Sequence, residues 1–312
     1  MQELHRPPAG DLLRELACVA PEVRDRLVVR FGADVLGWCD ELPALVHELT
    51  ARWNLDLVAA SGGGTSRVFR CLQRDTGASV WLKLTPELLI AREEAEALRA
   101  WADTPSVVTL LAADLSAGAL LLENVEPGVP VRQLVWKLPE VAALLRDLRT
   151  SPPVPGEHSV LRPLSHRIDF LLDLTERRLA ATRAKGLAAR AVLGQARVAA
   201  LKLADRGPVG LVHGDLHPAN VLSGPGSRLV AIDPRPTWGD PDFDAVDWVL
   251  EGVTDPAMLE KRIEELAALV PGLSPHRVLD WCQALAAVNA VPGLCAGRDD
   301  AKTEFLMALA GA

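Results

Sequence analysis

The sequence predicts an α+β protein of two lobes, a small antiparallel sheet followed by a larger, mainly helical region. Its 312 residues, 49% of them hydrophobic, are enough for two domains or one large two-lobed domain. Short apolar runs separated by turns occupy much of residues 55–123 and are typical of strands. After residue 131 the apolar residues recur at helical spacing instead.

The first lobe, residues 1–125, is predicted to be a helical extension followed by a β-lobe. Residues 10–53 have a helical pattern, and five apolar residues within it share one face that we expect to be a packing face: Leu42, Leu45, Val46, Leu49 and Trp53. The predicted strands are 55–60, 68–72, Ser79–Leu84, 107–112 and Ala119–Glu123, with a helix at 87–101.

The turn after the first predicted strand is rich in glycine. Its residues are Ser61, Gly62, Gly63, Gly64, Thr65 and Ser66. Because glycine has no side chain, such a turn lets backbone N–H groups approach a phosphate closely. An ordinary flexible hairpin would have the same composition, so the turn alone leaves both interpretations open.

Lys83 lies between two leucines on a predicted central strand. A buried cation is costly unless an anion accompanies it, so we expect Lys83 to be paired. The following helix offers three candidate partners, Glu93, Glu94 and Glu96. Three glutamates on one helix also suit a solvated face.

A polar segment punctuated by proline and glycine, residues 123–128, follows the last strand and is predicted to be the hinge between the lobes. Residues 126–312 then form the helical lobe, with helices predicted at 131–150, within 166–203 as a pair, at 255–270 and at 274–291. We expect the basic residues of the pair, including Arg177 and Arg178, to be solvated surface.

Composition favours a cytoplasmic protein. Five cysteines, an odd number without C-x-x-C spacing, argue against a disulfide framework or a structural zinc site. The N-terminus mixes charges and prolines where a secretory signal needs an apolar core, and we predict no membrane-spanning segment. We also expect the chain to be a monomer.

The acidic excess lies in the C-terminal part of the chain. From Asp233 onward there are 14 acidic and 6 basic residues, a net charge of −8 that equals that of the whole chain. Such a surface disfavours nucleic acid and would attract a cationic small molecule. A solubilising surface would have the same charge.

The stretch from 211 to 248 contains the residues best suited to chemistry. Phosphoryl transfer needs a divalent metal, a carboxylate at the attacking hydroxyl and fixed geometry. Asp215 offers a potential base, while Asn220 and Asp233 offer oxygen ligands of the kind that Mg²⁺ prefers. The sequence therefore predicts a magnesium-dependent phosphoryl-transfer site here.

A metal-dependent hydrolase is the first alternative. His213, Asp215 and His217 alternate, so on a strand they would share a face with which Asp233 could combine. No second cluster of His, Asp or Glu would complete the ligand set, and Pro218 suits a loop better than a strand. Tightly held zinc would favour this alternative.

The motif H-G-D-L-H-P-A-N, residues 213–220, resembles the catalytic loop H-R-D-L-x-x-x-N of eukaryotic-type kinases, with Gly214 in place of arginine. This form is usual in the aminoglycoside phosphotransferase family, whose G-D-P-x-[FY]-D motif is similar to residues 239–244. The segments LPALVHELTARWNL, EALRAW and AIDPRPTWGDPDFD narrow the resemblance to the streptomycin 6-phosphotransferase branch, which includes hydroxyurea-resistance kinases. The resemblance covers nearly the whole chain from Trp38 and implies a bilobal protein-kinase-like fold.

The resemblance also implies roles for single residues. Asp215 matches the catalytic aspartate that accepts or orients the proton of the acceptor hydroxyl, and Asn220 and Asp233 match the metal ligands. Lys83 matches the strand lysine that contacts the nucleotide phosphates, and Glu94 is its preferred partner. His213 and Asp244 are expected to support the loop, and His217 to contact the γ-phosphate or to pack.

The implied phosphoryl donor is ATP, with GTP as an alternative, and the implied metal is Mg²⁺. Glu123, Asn124 and Val125 match the hinge, whose backbone would bind adenine. The turn from Ser61 to Ser66 matches the nucleotide-positioning loop, although it lacks G-x-G-x-x-G.

The acceptor implied by the resemblance is an aminoglycoside, above all streptomycin. Acidic residues after the motif are candidates for binding its ammonium or guanidinium groups, and one tryptophan for stacking on them: Asp240, Asp242, Asp247, Trp248, Glu251 and Asp280. Hydroxyurea, choline, a sugar or a macrolide are alternative acceptors. A catalytically inactive kinase fold that serves as a binding module is the remaining alternative, against which the retention of Lys83 and Asp215 argues.

Overall fold

The computed structural model describes residues 15–62, 65–150, 158–180, 186–298 and 300–311. These residues divide into two compact units, one of residues up to Ala95 together with Thr109–Asn124, the other of Glu96–Val108 together with the chain from Val125 onward. The first unit therefore ends at Asn124 and lacks residues 96–108, whereas the sequence had placed the whole of 1–125 in the first lobe.

Among the described residues, the first unit contains three helices, the last of which continues into the second unit, and a five-stranded antiparallel sheet. Its elements are α1 (Pro21–Phe31), α2 (Val35–Arg52), β1 (Leu55–Gly62), β2 (Arg67–Gln73), β3 (Ser79–Leu84), α3 (Leu88–Ala100, which continues into the second unit), β4 (Leu110–Asp114) and β5 (Ala119–Glu123). The strand order is β1-β2-β3-β5-β4, so β3, with Lys83, is the central strand. Leu42, Val46 and Leu49 are buried against the sheet core, as the pattern predicted.

The predicted strand 107–112 begins later than expected. Val107 and Val108 instead join the second unit, where the Val108 N–H donates to the Ala231 carbonyl at 3.0 Å. The strand of the first unit, β4, is Leu110–Asp114. Apolar character alone did not distinguish these two pairings, because Val107 and Val108 belong to the same apolar run as Leu110 and Leu111.

The second unit is mainly helical. Its elements are α4 (Leu138–Leu148), β6 (Arg162–Pro163), α5 (Leu164–Ala180), α6 (Gly186–Asp205), β7 (Gly210–Val212), β8 (Val221–Ser223), β9 (Leu229–Ala231), β10 (Thr237–Gly239), α7 (Val246–Leu250), α8 (Pro256–Leu269), α9 (Pro275–Cys295) and α10 (Ala301–Ala310). Short strands β7 and β8 flank the catalytic-loop motif. The predicted α+β class is confirmed.

Two helical details differ from the sequence prediction. The helix expected at 131–150 is shorter, because Pro139 lies in the first turn of α4 and restricts the residue before it. Helix α10, which the sequence analysis missed, begins after Asp300, whose carboxylate accepts from the Thr303 N–H at 2.8 Å. Both ends are thus set by local chemistry.

Helix α9 is long and apolar enough to cross a membrane by length and composition, which the sequence analysis had overlooked. It packs against α5, α6 and α10, and 56% of its most apolar window is buried inside the unit. Core helices of globular proteins meet the same criteria. Its apolar side chains, among them the fully buried Trp281, therefore contribute to this core.

Candidate active site

The loop between β7 and β8 places Asp215 in a tight backbone turn. Gly214 has φ +75°, and a Cβ atom on it would lie 2.2 Å from the Arg235 carbonyl oxygen. Only glycine fits such a position, because a side chain would clash with backbone and the conformation disfavours other residues. The glycine that replaces the arginine of protein kinases is therefore required by the local geometry.

His213 is fully buried and supports this loop. Its Nδ1 accepts from the Asp215 N–H at 3.3 Å, and its Nε2 is 3.2 Å from the Ile232 carbonyl. These partners require a neutral ring with the proton on Nε2. Burial accordingly lowers the pKa of His213 to about 4. With both nitrogens engaged, His213 has no donor atom for a metal, which argues against the hydrolase alternative.

Asp244 holds the backbone of the same loop. Its carboxylate accepts from the N–H groups of His213 at 2.7 Å and Gly214 at 2.9 Å. Burial raises its pKa to about 7, although the two N–H donors favour the charged form. Asp244 thus satisfies two backbone donors that would otherwise be buried without acceptors.

Three side chains surround the Asp215 carboxylate. Arg167 donates from Nη2 to Oδ1 at 2.7 Å, Asn220 donates from Nδ2 to Oδ2 at 3.1 Å, and His217 Nε2 is 4.0 Å from Oδ2. The carboxylate is partly exposed, with 29% of the side chain accessible. The carboxylate is therefore held by a hydrogen bond to each oxygen and remains reachable from solvent.

Asn220 and Asp233 supply oxygen atoms suited to a hard cation. The Asn220 amide nitrogen is committed to Asp215, so its amide oxygen points away from that carboxylate. Asp233 has φ +55°, an uncommon conformation that clusters at functional sites. One amide oxygen and one carboxylate match Mg²⁺, which completes its shell with water and phosphate oxygens.

In the first unit Lys83 is buried and paired with Glu94. The two Nζ–Oε distances are 2.7 and 2.6 Å, and the side chains are 6% and 1% exposed. Glu96 accepts from the Ser159 hydroxyl and the Val160 N–H instead, and Glu93 is 7% exposed. Of the three glutamates, the structure pairs Glu94 with Lys83.

The remaining predicted nucleotide residues lie at the ends of strands. Ser61 and Gly62 end β1, Gly63 and Gly64 lie outside the described residues, and Thr65 accepts from the Thr85 hydroxyl at 3.3 Å. Ser66 is buried.

The hinge side chains have partners within the sheet. Glu123 accepts from the Thr109 N–H at 2.8 Å, and Asn124 Oδ1 accepts from Trp81 Nε1 at 2.9 Å. Val125 begins the second unit's segment.

Two cavities in the second unit lie beside Asp215. The first, about 200 Å³, is lined by Asp215 and Arg178, and the second, about 350 Å³, by Glu251 and Lys302. His217, Asp247 and Asn289 line both. Burial and the nearby Asp215 carboxylate raise the pKa of Asp247, whereas His217 and Arg167 favour its charged form.

The structure separates the predicted acceptor residues into three groups: cavity-lining, exposed and buried. Asp247 and Glu251 line the cavities, and Glu251 pairs with Lys302 at 3.3 Å. Asp280 is exposed on α9 and lies nine residues from Asn289, or about 13 Å along the helix axis. Asp280 does not line either cavity.

Asp240, Asp242 and Trp248 were predicted as acceptor contacts, and the structure contradicts this because all three side chains are buried. Asp240 is 0% exposed and accepts from Trp281 Nε1 at 2.8 Å and Arg277 Nε at 2.8 Å. Asp242 accepts from Arg149 at 2.6 Å, and Trp248 packs edge-on against Trp136. Their hydrogen bonds and packing stabilise the lobe.

Sequence reasoning missed Arg167, Arg178 and Asn289. Arg178 had been assigned to solvated surface, and it is exposed, yet it lines the smaller cavity. Arg167 lies three residues after the buried Leu164 and one before the buried Ile168. A charged residue at the edge of an apolar helical face was the available signal.

Solved structures show the class of fold. A choline kinase from Streptococcus pneumoniae superposes with a TM-score of 0.59 at 16% identity, covering 86% of this chain and 98% of that chain. An aminoglycoside phosphotransferase in a ternary complex with ADP and hygromycin B gives 0.53 at 16% identity, covering 85% and 96%. The chain has the protein-kinase-like fold of small-molecule phosphotransferases.

Sequence comparison then gives the family. The sequence pattern of the aminoglycoside/hydroxyurea antibiotic resistance kinase family matches residues 52–295, and the chain belongs to that family. It is 31% identical to a streptomycin 6-kinase from Streptomyces glaucescens, covering 84% of this chain and 86% of that protein. It is 32% identical to a hydroxyurea phosphotransferase from Kitasatospora aureofaciens, covering 80% and 72%. The chain is a phosphotransferase with an alcohol group as acceptor.

Proposed function

We propose that the chain transfers the γ-phosphoryl group of ATP to a hydroxyl of streptomycin, with Mg²⁺, and so inactivates the antibiotic. Support for a cationic acceptor comes from the two cavities beside Asp215, whose walls include Asp247 and Glu251. The guanidinium groups of streptomycin suit such carboxylates. ATP is available in the cytoplasm, where we expect the chain to act as a monomer.

In the proposed reaction the Asp215 carboxylate accepts the proton of the acceptor hydroxyl as its oxygen attacks the γ-phosphorus. The new oxygen–phosphorus bond forms while the bond to the bridging oxygen of the nucleotide breaks, and ADP leaves with that oxygen. Arg167 and Asn220 hold the carboxylate in place during this step, and Lys83 neutralises charge on the phosphates. Transfer is thus driven by position and charge.

Asn220 and Asp233 are the residues that would hold Mg²⁺, through an amide oxygen and a carboxylate. Bound there, the ion would neutralise the phosphate charge that develops during transfer. Described residues include no group of three or more His, Cys, Asp or Glu side chains arranged for a metal. Phosphate oxygens of the nucleotide, together with water, would complete the ligands of an ion held by Asn220 and Asp233.

Hydroxyurea is the second candidate acceptor, favoured by the relative of that name at 32% identity. It is small and neutral, so Asp247 and Glu251 would give it no electrostatic preference. Turnover with each acceptor distinguishes the two candidates.

ADP release in the presence of Mg-ATP tests the proposal against a panel of streptomycin, other aminocyclitols, hydroxyurea, choline, a sugar and a macrolide. Turnover with streptomycin, and a product heavier by one phosphoryl group, is the expected result. Turnover confined to hydroxyurea would replace the proposed acceptor. ADP release that none of the acceptors stimulates above the rate with water would refute all of them.

A further inference from the structure

Arg167, on helix α5, contacts two adjacent groups of the catalytic loop. Its Nε donates to the Gly214 carbonyl oxygen at 2.8 Å, and its Nη2 donates to Asp215 Oδ1 at 2.7 Å. The side chain is 10% exposed. One guanidinium thus binds both the backbone and the carboxylate of the loop, which requires the fixed fork that only arginine provides.

The catalytic loop cannot supply this group itself. Protein kinases carry arginine in the position of Gly214. Here a Cβ atom at that position would lie 2.2 Å from the Arg235 carbonyl oxygen, so no side chain fits. The guanidinium beside Asp215 comes from another element, α5.

Each oxygen of the Asp215 carboxylate accepts a hydrogen bond from a different residue. Oδ1 is held by Arg167, whereas Oδ2 accepts from Asn220 at the longer distance of 3.1 Å. A carboxylate oxygen has two lone-pair sites, so each oxygen keeps one for a second donor. The carboxylate is thus held in one orientation and can still accept the proton of an incoming hydroxyl.

We infer that Arg167 is a positioning residue for phosphoryl transfer, which fixes Asp215 in the orientation that receives the proton of the acceptor. The inference rests on the proposed role of Asp215 and is independent of which acceptor is used. Arg167 acts through Asp215. Loss of the fork lets the carboxylate rotate, and a displacement of about 1 Å at a reacting group can cost about 10²-fold in rate.

Two substitutions of Arg167 separate the effect of its hydrogen-bond geometry from the effect of its charge. Arg167→Lys keeps a cation but cannot bind Gly214 and Asp215 together, and Arg167→Ala removes both contacts. We expect kcat to fall about 10²-fold in both variants, with the dissociation constant of ADP unchanged within about twofold. Methylguanidinium at millimolar concentration should raise kcat of Arg167→Ala at least tenfold, whereas methylammonium should leave it unchanged.

Arg197→Ala is the matched control, because Arg197 also bridges to α5, through Asp169 at 2.6 Å, away from the catalytic loop. It should change thermal stability without changing kcat. If Arg167→Ala behaved like this control, losing only stability and gaining nothing from methylguanidinium, Arg167 would be purely structural and the inference overturned.

The assay is run with the accepted antibiotic and with water as the acceptor, so that a wrong antibiotic does not obscure the result. Slow transfer of the phosphoryl group to water also requires a proton acceptor. The rate of ADP release in this reaction should therefore fall in parallel with the rate of antibiotic phosphorylation. A crystal structure of Arg167→Ala provides a test that does not depend on enzyme activity. A rotated Asp215 carboxylate is expected there, and an unchanged one would also overturn the inference.

Discussion

The side-chain amide nitrogen of Asn220 donates hydrogen bonds to both the backbone carbonyl and the carboxylate of Asp215, at 3.0 and 3.1 Å. The proposed base and the proposed metal ligand are therefore one hydrogen-bonded unit. Asn220→Ala should raise the Mg²⁺ concentration for half-maximal rate at least tenfold and lower kcat, because the substitution removes a metal ligand and a tether. A magnesium titration of ADP release measures both. Asn289→Ala, in the cavity walls, should raise the acceptor KM and leave the magnesium requirement unchanged.

Removal of the Asp215 carboxylate should abolish transfer while nucleotide binding is retained. General base catalysis contributes about 10²–10⁴-fold, and Asp215→Ala should lose a factor in that range. ADP release and an ADP titration measure the two quantities. The control, Asp280→Ala, changes an exposed carboxylate outside the cavities and should be neutral. Normal turnover in Asp215→Ala would remove this residue from the proposed mechanism.

Lys302 holds a position that a cationic acceptor would compete for, because its ammonium group pairs with Glu251 in the wall of the larger cavity. Lys302→Met should lower the KM for streptomycin severalfold, since it frees a carboxylate and removes a repelling charge. The KM for neutral hydroxyurea, where it is a substrate, should not move. Lys261→Met, at the exposed pair with Glu265, is the control. An equal change for both acceptors would show that charge is not the cause.

The buried pair of Lys83 and Glu94 links activity and stability in the first unit. Removal of one partner of a buried ion pair leaves an uncompensated charge, so Lys83→Met should lower the free energy of unfolding by about 3–5 kcal/mol. The double variant Lys83→Met/Glu94→Leu should recover most of this loss and remain inactive. Denaturant unfolding and ADP release measure the two effects. Restored activity in the double variant would show that Lys83 does not act on phosphate.

His213 should make folding stability depend on pH. Its folded pKa of about 4 lies below the value of 6.5 for a free histidine, so the unfolded chain binds the proton first as pH falls. The stabilisation is complete above pH 6.5 and is lost as pH falls towards 4. Between pH 6.5 and 5 this group should cost about 2 kcal/mol of unfolding free energy.

His213→Asn should lack that part of the slope, although it is less stable overall. The raised pKa of Asp244 acts in the opposite direction and remains in both proteins, so the difference between them reports His213. His276→Asn changes an exposed histidine and should keep the wild-type slope. Parallel unfolding curves for wild type and His213→Asn across this pH range would contradict the assignment.

The two-lobed class and most of the elements could be predicted because their signals are local. Strands β3 and β5 coincide with their apolar runs, and α2 buries Leu42, Val46 and Leu49 as the helical spacing required. The catalytic-loop motif is likewise contiguous in sequence. Its residue types at fixed spacing indicated phosphoryl transfer before any packing was known.

Residues brought together from distant segments could not be predicted in this way. Asp240 and Asp247 look alike in sequence, yet Asp240 is enclosed by Arg277 and Trp281 while Asp247 lines the cavities. Helix α9 supplies Arg277 and Trp281, and its position therefore decides that the Asp240 carboxylate is enclosed. Local charge patterns contain no information about such a neighbour.

By itself the sequence determined the fold class, the family resemblance and the loop that contains Asp215, because each depends on residues near one another in the chain. Tertiary structure decided that Arg167 holds Asp215, 48 residues away, that Glu94 pairs with Lys83, and which acidic residues line the cavities. These relationships depend on how helices pack, and a guanidinium or carboxylate acquires its role only from the partners that packing provides.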